Sequence, residues 1–139
     1  MKINGYDYRE DRFYTKKHLW VQRIEKNKAR IGLDSFFVER LGPISDIELT
    51  YLDNDCELND SIATLYFDSE SKDLLAPVSG RICNVNEEVE EDPMILLEDP
   101  YEKGWLVEII LLPGQDLSRL MRNDEAESWF QSETEKEPL

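Results

Sequence analysis

The chain has 139 residues, one domain's worth, and its 40% hydrophobic content supports a packed core despite 34% charged side chains. Its 16 basic and 31 acidic residues leave a net charge of −15, a field that repels phosphate backbones and anionic lipid and so argues against nucleic acid and membrane as partners. The longest apolar run, Trp105 to Leu112, contains Glu108 and is far below the roughly 20 residues of a membrane span, and the opening residues lack a signal-peptide pattern, so a cytoplasmic protein is expected.

No Lys/Arg cluster interrupts the acidic field; Lys16-Lys17-His18 is its densest basic spot. Cys56 and Cys83 are too distant for a CxxC motif, and His18 is the sole histidine available to join them, so two buried free thiols are expected rather than zinc or redox chemistry.

In chain order the pattern is one of short strands and turns. His18 to Glu25 and Lys28 to Leu33 flank Lys26-Asn27 and predict a hairpin. His18 itself reads as an edge-strand residue whose neighbour Trp20 packs inward. A short helix follows at Asp34 to Leu41: Asp34 can accept from the free amides of the first turn, and Gly42-Pro43 stop it. Ile44 to Leu49 returns to strand. Ser61 to Phe67 and Lys72 to Ala76 predict a second hairpin around a polar tip, Asp68-Ser69-Glu70-Ser71.

Further strands are expected at Gly80 to Val85, Met94 to Leu97 and Trp105 to Leu112, the last apolar on both faces as in a central strand. Trp105, Val107 and Ile109 should be buried. Past Pro113-Gly114 the spacing turns helical, with Leu117, Leu120 and Met121 aligned, then Ala126, Trp129 and Phe130. Asp124 and Glu127 resemble a capping box. A faint internal repeat pairs Pro43-Ile44-Ser45 with Pro77-Val78-Ser79, each opening a strand that runs into an acidic turn and a further strand. Two matching halves suit paired sheets with approximate two-fold symmetry.

Several stretches together resemble the H protein of the glycine cleavage system. They are Tyr14-Thr15-Lys16-Lys17-His18-Leu19-Trp20-Val21, with Leu19 in place of an acidic residue, and Ile31-Gly32-Leu33 followed by Phe36 and Glu39-Arg40-Leu41-Gly42. Ala76-Pro77-Val78-Ser79-Gly80, Asn84-Val85-Asn86 and Glu98-Asp99-Pro100-Tyr101 with Gly104-Trp105-Leu106 complete the set. The resemblance implies a mainly β fold, a flattened barrel-sandwich hybrid of two small sheets of the lipoyl-domain type, with a short internal helix and a C-terminal helical extension. It divides the chain into an N-terminal extension over 1–13, the lipoyl-type domain over 14–131 and a frayed tail over 132–139. The glycines are expected at turns, and Trp20, Phe36, Tyr101 and Trp105 as apolar anchors between thin sheets.

The same resemblance supplies the chemistry. In this family a lysine at a hairpin tip carries lipoate in amide linkage, and the arm shuttles the aminomethyl group of glycine between partner enzymes. The carrier catalyses nothing itself, because the cofactor and the partners do the chemistry. Counting back from Pro77, the family lysine falls on Ser69 and its glutamate three residues earlier on Tyr66, while the glycine eleven residues after the lysine is kept as Gly80. A serine hydroxyl cannot form the amide. Lys72 is the one lysine in the hairpin and the alternative lipoyl site, three residues late and so offset to the other face of a strand.

Two functions follow from these residues. The first is a lipoyl carrier of the H-protein type. The second is an unlipoylated relative that binds or assembles proteins of a glycine cleavage-type or other lipoate-linked multi-enzyme system, with no cofactor attached. A biotinyl carrier would need a lysine flanked by methionines, and no methionine lies near Lys72. A free-standing enzyme has the least support: the chain shows one histidine, no Gly-rich phosphate loop and no carboxylate pairing visible in sequence.

Overall fold

The computed structural model describes residues 1–114 and 117–135. Lys2–Ile3 (β1) and Tyr6–Asp7 (β2) form a ribbon, followed by Phe13–Tyr14 (β3), Leu19–Glu25 (β4), Lys28–Leu33 (β5) and the helix Ser35–Leu41 (α1). Next come Asp46–Leu49 (β6), Asp55–Cys56 (β7), Ser61–Phe67 (β8), Glu70–Leu75 (β9) and Gly80–Val85 (β10). Two short helices, Glu87–Glu91 (α2) and Met94–Glu98 (α3), precede Val107–Leu111 (β11) and the closing helix Asn123–Glu135 (α4).

Two sheets face each other across one core, but they are unequal. The larger has six strands in the order β3-β4-β5-β11-β10-β7 and the smaller has three, β6-β8-β9. Val21, Ile31, Ile82 and Ile109 of the first meet Ile47, Leu65 and Leu74 of the second in a single buried cluster. Because side chains alternate along a strand, the residue beside Val21 points the other way. Trp20 and Tyr14 therefore join a second cluster with Tyr8, Phe36, Tyr101 and Phe130. That cluster sits on the outer face of β3 and β4, where the N-terminal ribbon and α4 cover it.

Several local expectations are corrected. Met94 to Leu97 is helix, not strand: Ile95 N–H donates to the Asp92 carbonyl at 3.1 Å and Leu96 N–H to that of Pro93 at 3.1 Å, so the proline opens a helical turn. The acidic stretch after β10 is also helix, α2, with the Asn86 side chain accepting from Glu88 N–H at 3.2 Å. The second half of the internal repeat therefore lacks the turn and strand of the first.

β11 starts at Val107, two residues after Trp105, which is half-buried with the Arg30 guanidinium 5.1 Å from its ring. Val107 and Ile109 are buried as expected, whereas Ile110 on the opposite face is exposed. β11 is central, between β5 and β10, and its second face is covered at Glu108, which is buried and accepts from Arg30 and Asn84, but open at Ile110. After Leu117 the chain turns and bridges to β3 through Tyr14 and Met121, and helix begins only at Asn123. Asp124 thus lies in the first turn of α4 rather than at its cap. The helix continues through residues 132–135 of the expected tail, and residues 136–139 lie outside the described residues.

Gly32 and Gly80 stand inside strands rather than at turns, each for a close approach. Gly32 faces Trp20 across β4 and β5, and a β-carbon there would lie 2.4 Å from the indole Cζ2. At Gly80 a β-carbon would lie 2.1 Å from the Ile110 carbonyl oxygen of β11. The Asp99 to Trp105 segment, the most distinctive motif in the sequence, ties the second cluster together. The Pro100 carbonyl accepts from the Trp20 indole at 3.1 Å, and the Tyr101 hydroxyl donates to the Asp7 carbonyl at 2.9 Å. Buried Asn86 donates to the carbonyls of Lys103 and Trp105 at 2.8 and 2.7 Å, closing the loop onto β10.

Candidate functional site

β8 and β9 pair from Ser61↔Leu75 up to Phe67↔Glu70, which leaves only Asp68 and Ser69 to make the turn. Both have left-handed backbones, with φ of 50° and 64°. Two successive positive φ values match the right-handed twist of a hairpin, and Asp bears them better than most residues. The tip is thus two residues, not the expected four, since Glu70 and Ser71 already belong to β9. Ser69 is exposed at the end of the hairpin.

Tyr66 is locked into the sheet. Its carbonyl accepts from the Ser45 amide at 2.8 Å and the Ser45 hydroxyl at 2.9 Å, and its own hydroxyl donates to Glu48. That hydrogen bond to Glu48 holds the phenol above its ordinary pKa. Lys72 lies along β9 opposite Leu65, exposed, with Nζ 6.0 Å from the centre of the Phe37 ring. Its amine is therefore turned toward α1 and away from the tip. A carboxylate and a hydroxyl are what Asp68 and Ser69 offer at the turn, and neither fits an acyl group held by an amide.

The structure brings other sequence-flagged residues together beside β9. A cavity of about 350 Å³ is lined by Lys16, Lys17, His18, Leu19, Phe37 and residues 72–75. A second, of about 260 Å³, continues it past Pro77 to Arg119 and Leu120. Lys72 and Arg119 thus join the Lys16-Lys17 spot, a basic cluster that no spacing in the sequence reveals.

His18 is not an edge-strand residue. It sits in the turn before β4 with φ 69°, its Nδ1 2.9 Å from Asp34 Oδ2 and its Nε2 3.4 Å from Glu133 Oε1. The ring packs between Phe37 and Trp129, with centroids 5.9 and 4.9 Å away. Burial disfavours the imidazolium, but the hydrogen bond to Asp34 and the charges of Asp34 and Glu133 outweigh it, and the His18 pKa lies above its ordinary value. Burial likewise raises Asp34, against the opposing pull of His18 and of the α1 amides it caps. Cys56 is buried and Cys83 half-buried; both are free, and burial pushes the Cys56 thiol up to about 11.

Comparisons with known proteins converge on one group. The glycine cleavage H-protein family profile matches residues 12–133. The chain is similar to the glycine cleavage system H protein of Carboxydothermus hydrogenoformans, 33% identical over 126 residues that cover 91% of this chain and 96% of that one. It is similar also to the H protein of Staphylococcus epidermidis, 37% identical over 112 residues, covering 81% and 88% of the two chains. Among solved structures, the H protein of Mycobacterium marinum superposes with a TM-score of 0.76 at 26% identity, covering 91% of this chain and 98% of that one. Profile, relatives and fold agree over nearly the whole length described: the chain belongs to the glycine cleavage H-protein family, whose members are lipoate carriers and not catalysts.

Proposed function

We propose that this protein serves a glycine cleavage-type or other lipoate-linked multi-enzyme system through its carrier fold, with Ser69 at the family's lipoyl-lysine position and no lipoyl group attached there. The observation that carries the reading is the hairpin itself. Its turn is closed by Asp68 and Ser69 alone, and the nearest amine, that of Lys72, lies three residues along β9 beside Phe37. A long arm works by visiting several active sites from an exposed tip, and an amine against α1 is poorly placed for that. Tyr66, bonded to Glu48, stands where an acidic residue would help an attachment enzyme recognise the hairpin. Gly80 is required by the approach of β10 to β11 and so is no evidence of modification.

The partners in this reading are proteins of that system, met through an acidic surface that steers encounter, so their binding weakens with salt. Nucleic acid and membrane are not partners, and two free thiols suit a reducing cytoplasm. The test is incubation of wild type, Lys72→Ala, Ser69→Lys and Tyr66→Glu/Ser69→Lys with lipoate ligase, lipoate and ATP, read by intact mass. The expected result is no adduct on wild type or Lys72→Ala and an adduct on the Ser69→Lys or double variant. A wild-type adduct that disappears in Lys72→Ala would overturn the reading and restore a lipoylated carrier.

A further inference from the structure

β9 is the outer strand of the three-stranded sheet. The opposite margin of that sheet is covered, because α2 packs on β6 and Glu90 accepts the Leu49 amide at 3.1 Å. On the β9 side, among the described residues, no backbone group of residues 70–75 bonds to anything beyond β8. Four consecutive residues, 72–75, line the adjoining cavity, consistent with the strand's edge position. Such an edge is a template for one more strand.

The space beside it is shaped and charged for a particular kind of strand. Its floor is apolar, with Leu19, Phe37 and Leu75, and its rim carries Lys16, Lys17, Lys72 and Arg119. None of these four cations makes an ion pair among the described residues. Acids outnumber bases by 31 to 16 in this chain, yet among the described residues Asp73 is the one acidic side chain lining the two cavities. A lone edge lysine is explained as a guard against self-pairing. Four cations with no ion pair among the described residues, set around an apolar trough, are better explained by an anionic guest.

We infer that the open edge of β9 and the groove beside it bind an extended acidic segment of a partner protein, which adds as a fourth strand to the β6-β8-β9 sheet. Main-chain hydrogen bonds would run along residues 70–75. Alternate side chains of the guest would fill the apolar floor, and its carboxylates would meet the four rim cations. The inference goes beyond the proposed function and holds with or without an arm on the hairpin.

The experiment is a ¹⁵N chemical-shift titration of the full chain with an end-capped eight-residue peptide of alternating valine and glutamate. The expected result is saturable shifts at residues 16–19 and 70–75, with affinity falling roughly tenfold between about 50 and about 300 mM salt. Lys16→Glu/Lys72→Glu should abolish those shifts. On wild type, the same peptide with alternate amides N-methylated should fail to bind, because it cannot pair with the edge. Equal binding of the N-methylated peptide, or of one with lysine in place of glutamate, would overturn the inference. So would shifts at these residues produced by octanoate but not by the peptide, or by raising the concentration of the protein alone.

Discussion

Trp20 and Gly32 show how one residue can be present for another. The two face each other across β4 and β5, the indole lies over the glycine, and its N–H reaches on to the Pro100 carbonyl. Buried Arg12 stacks on the same ring at 4.9 Å and donates to the Tyr101 carbonyl at 2.7 Å. The indole is therefore held on three sides and cannot yield to a new methyl group. Gly32→Ala should destabilise the protein by about 1–3 kcal/mol, the usual cost of overpacking a filled core. Urea unfolding of both proteins measures it, and an unchanged midpoint would show that the ring moves freely.

At the scale of elements, α4 is fixed to the sandwich by apolar packing and by one titratable contact. Phe130 and Ala126 enter the aromatic cluster, Asn4 donates to Thr134 Oγ1 at 2.8 Å, and Glu133 reaches His18, whose other nitrogen meets the Asp34 cap of α1. The folded protein holds the His18 proton more tightly than the unfolded chain, so His18 contributes stability in full below its unfolded pKa of about 6.5. That contribution is lost as pH rises through the higher folded value. Chemical denaturation of wild type should therefore show stability falling as pH climbs above about 6.5. His18→Gln should flatten that limb; a wild-type profile that is flat or rises there would refute the assignment. None of this contact was legible in sequence, because His18, Asp34 and Glu133 meet only through the fold. The hairpins, α1 and the capping Asp34 were legible, since their signals are local: Lys26-Asn27 at a turn, Asp before an apolar pattern, Gly-Pro after it. Met94 to Leu97 was not, because so short an apolar run carries no period of its own and Asp92-Pro93 decided its conformation. The hairpin tip was placed correctly but drawn too long, as strand pairing sets turn length and a polar run does not.

For the whole molecule, charge is the property that most constrains encounters. A net −15 spread over one small domain gives a long-range field that repels polyanions. The cluster of Lys16, Lys17, Lys72 and Arg119 is a local exception to that field, and the fold creates it from separate stretches of chain. A phosphate backbone could in principle touch those four cations. It would need many such contacts in a row to release counterions in useful number, and the chain as a whole carries a large excess of acidic residues. The groove also has an apolar floor that a duplex cannot use, whereas a flexible acidic segment can enter it. The protein should therefore pass through a heparin column unretained at about 150 mM salt, where charges beyond about 8 Å are largely screened. It should also leave the mobility of double-stranded DNA unchanged under the same condition. Retention on heparin that Lys16→Glu/Lys72→Glu removes would mean that the cluster outweighs the global field and that its guest is a polyanion rather than an acidic strand.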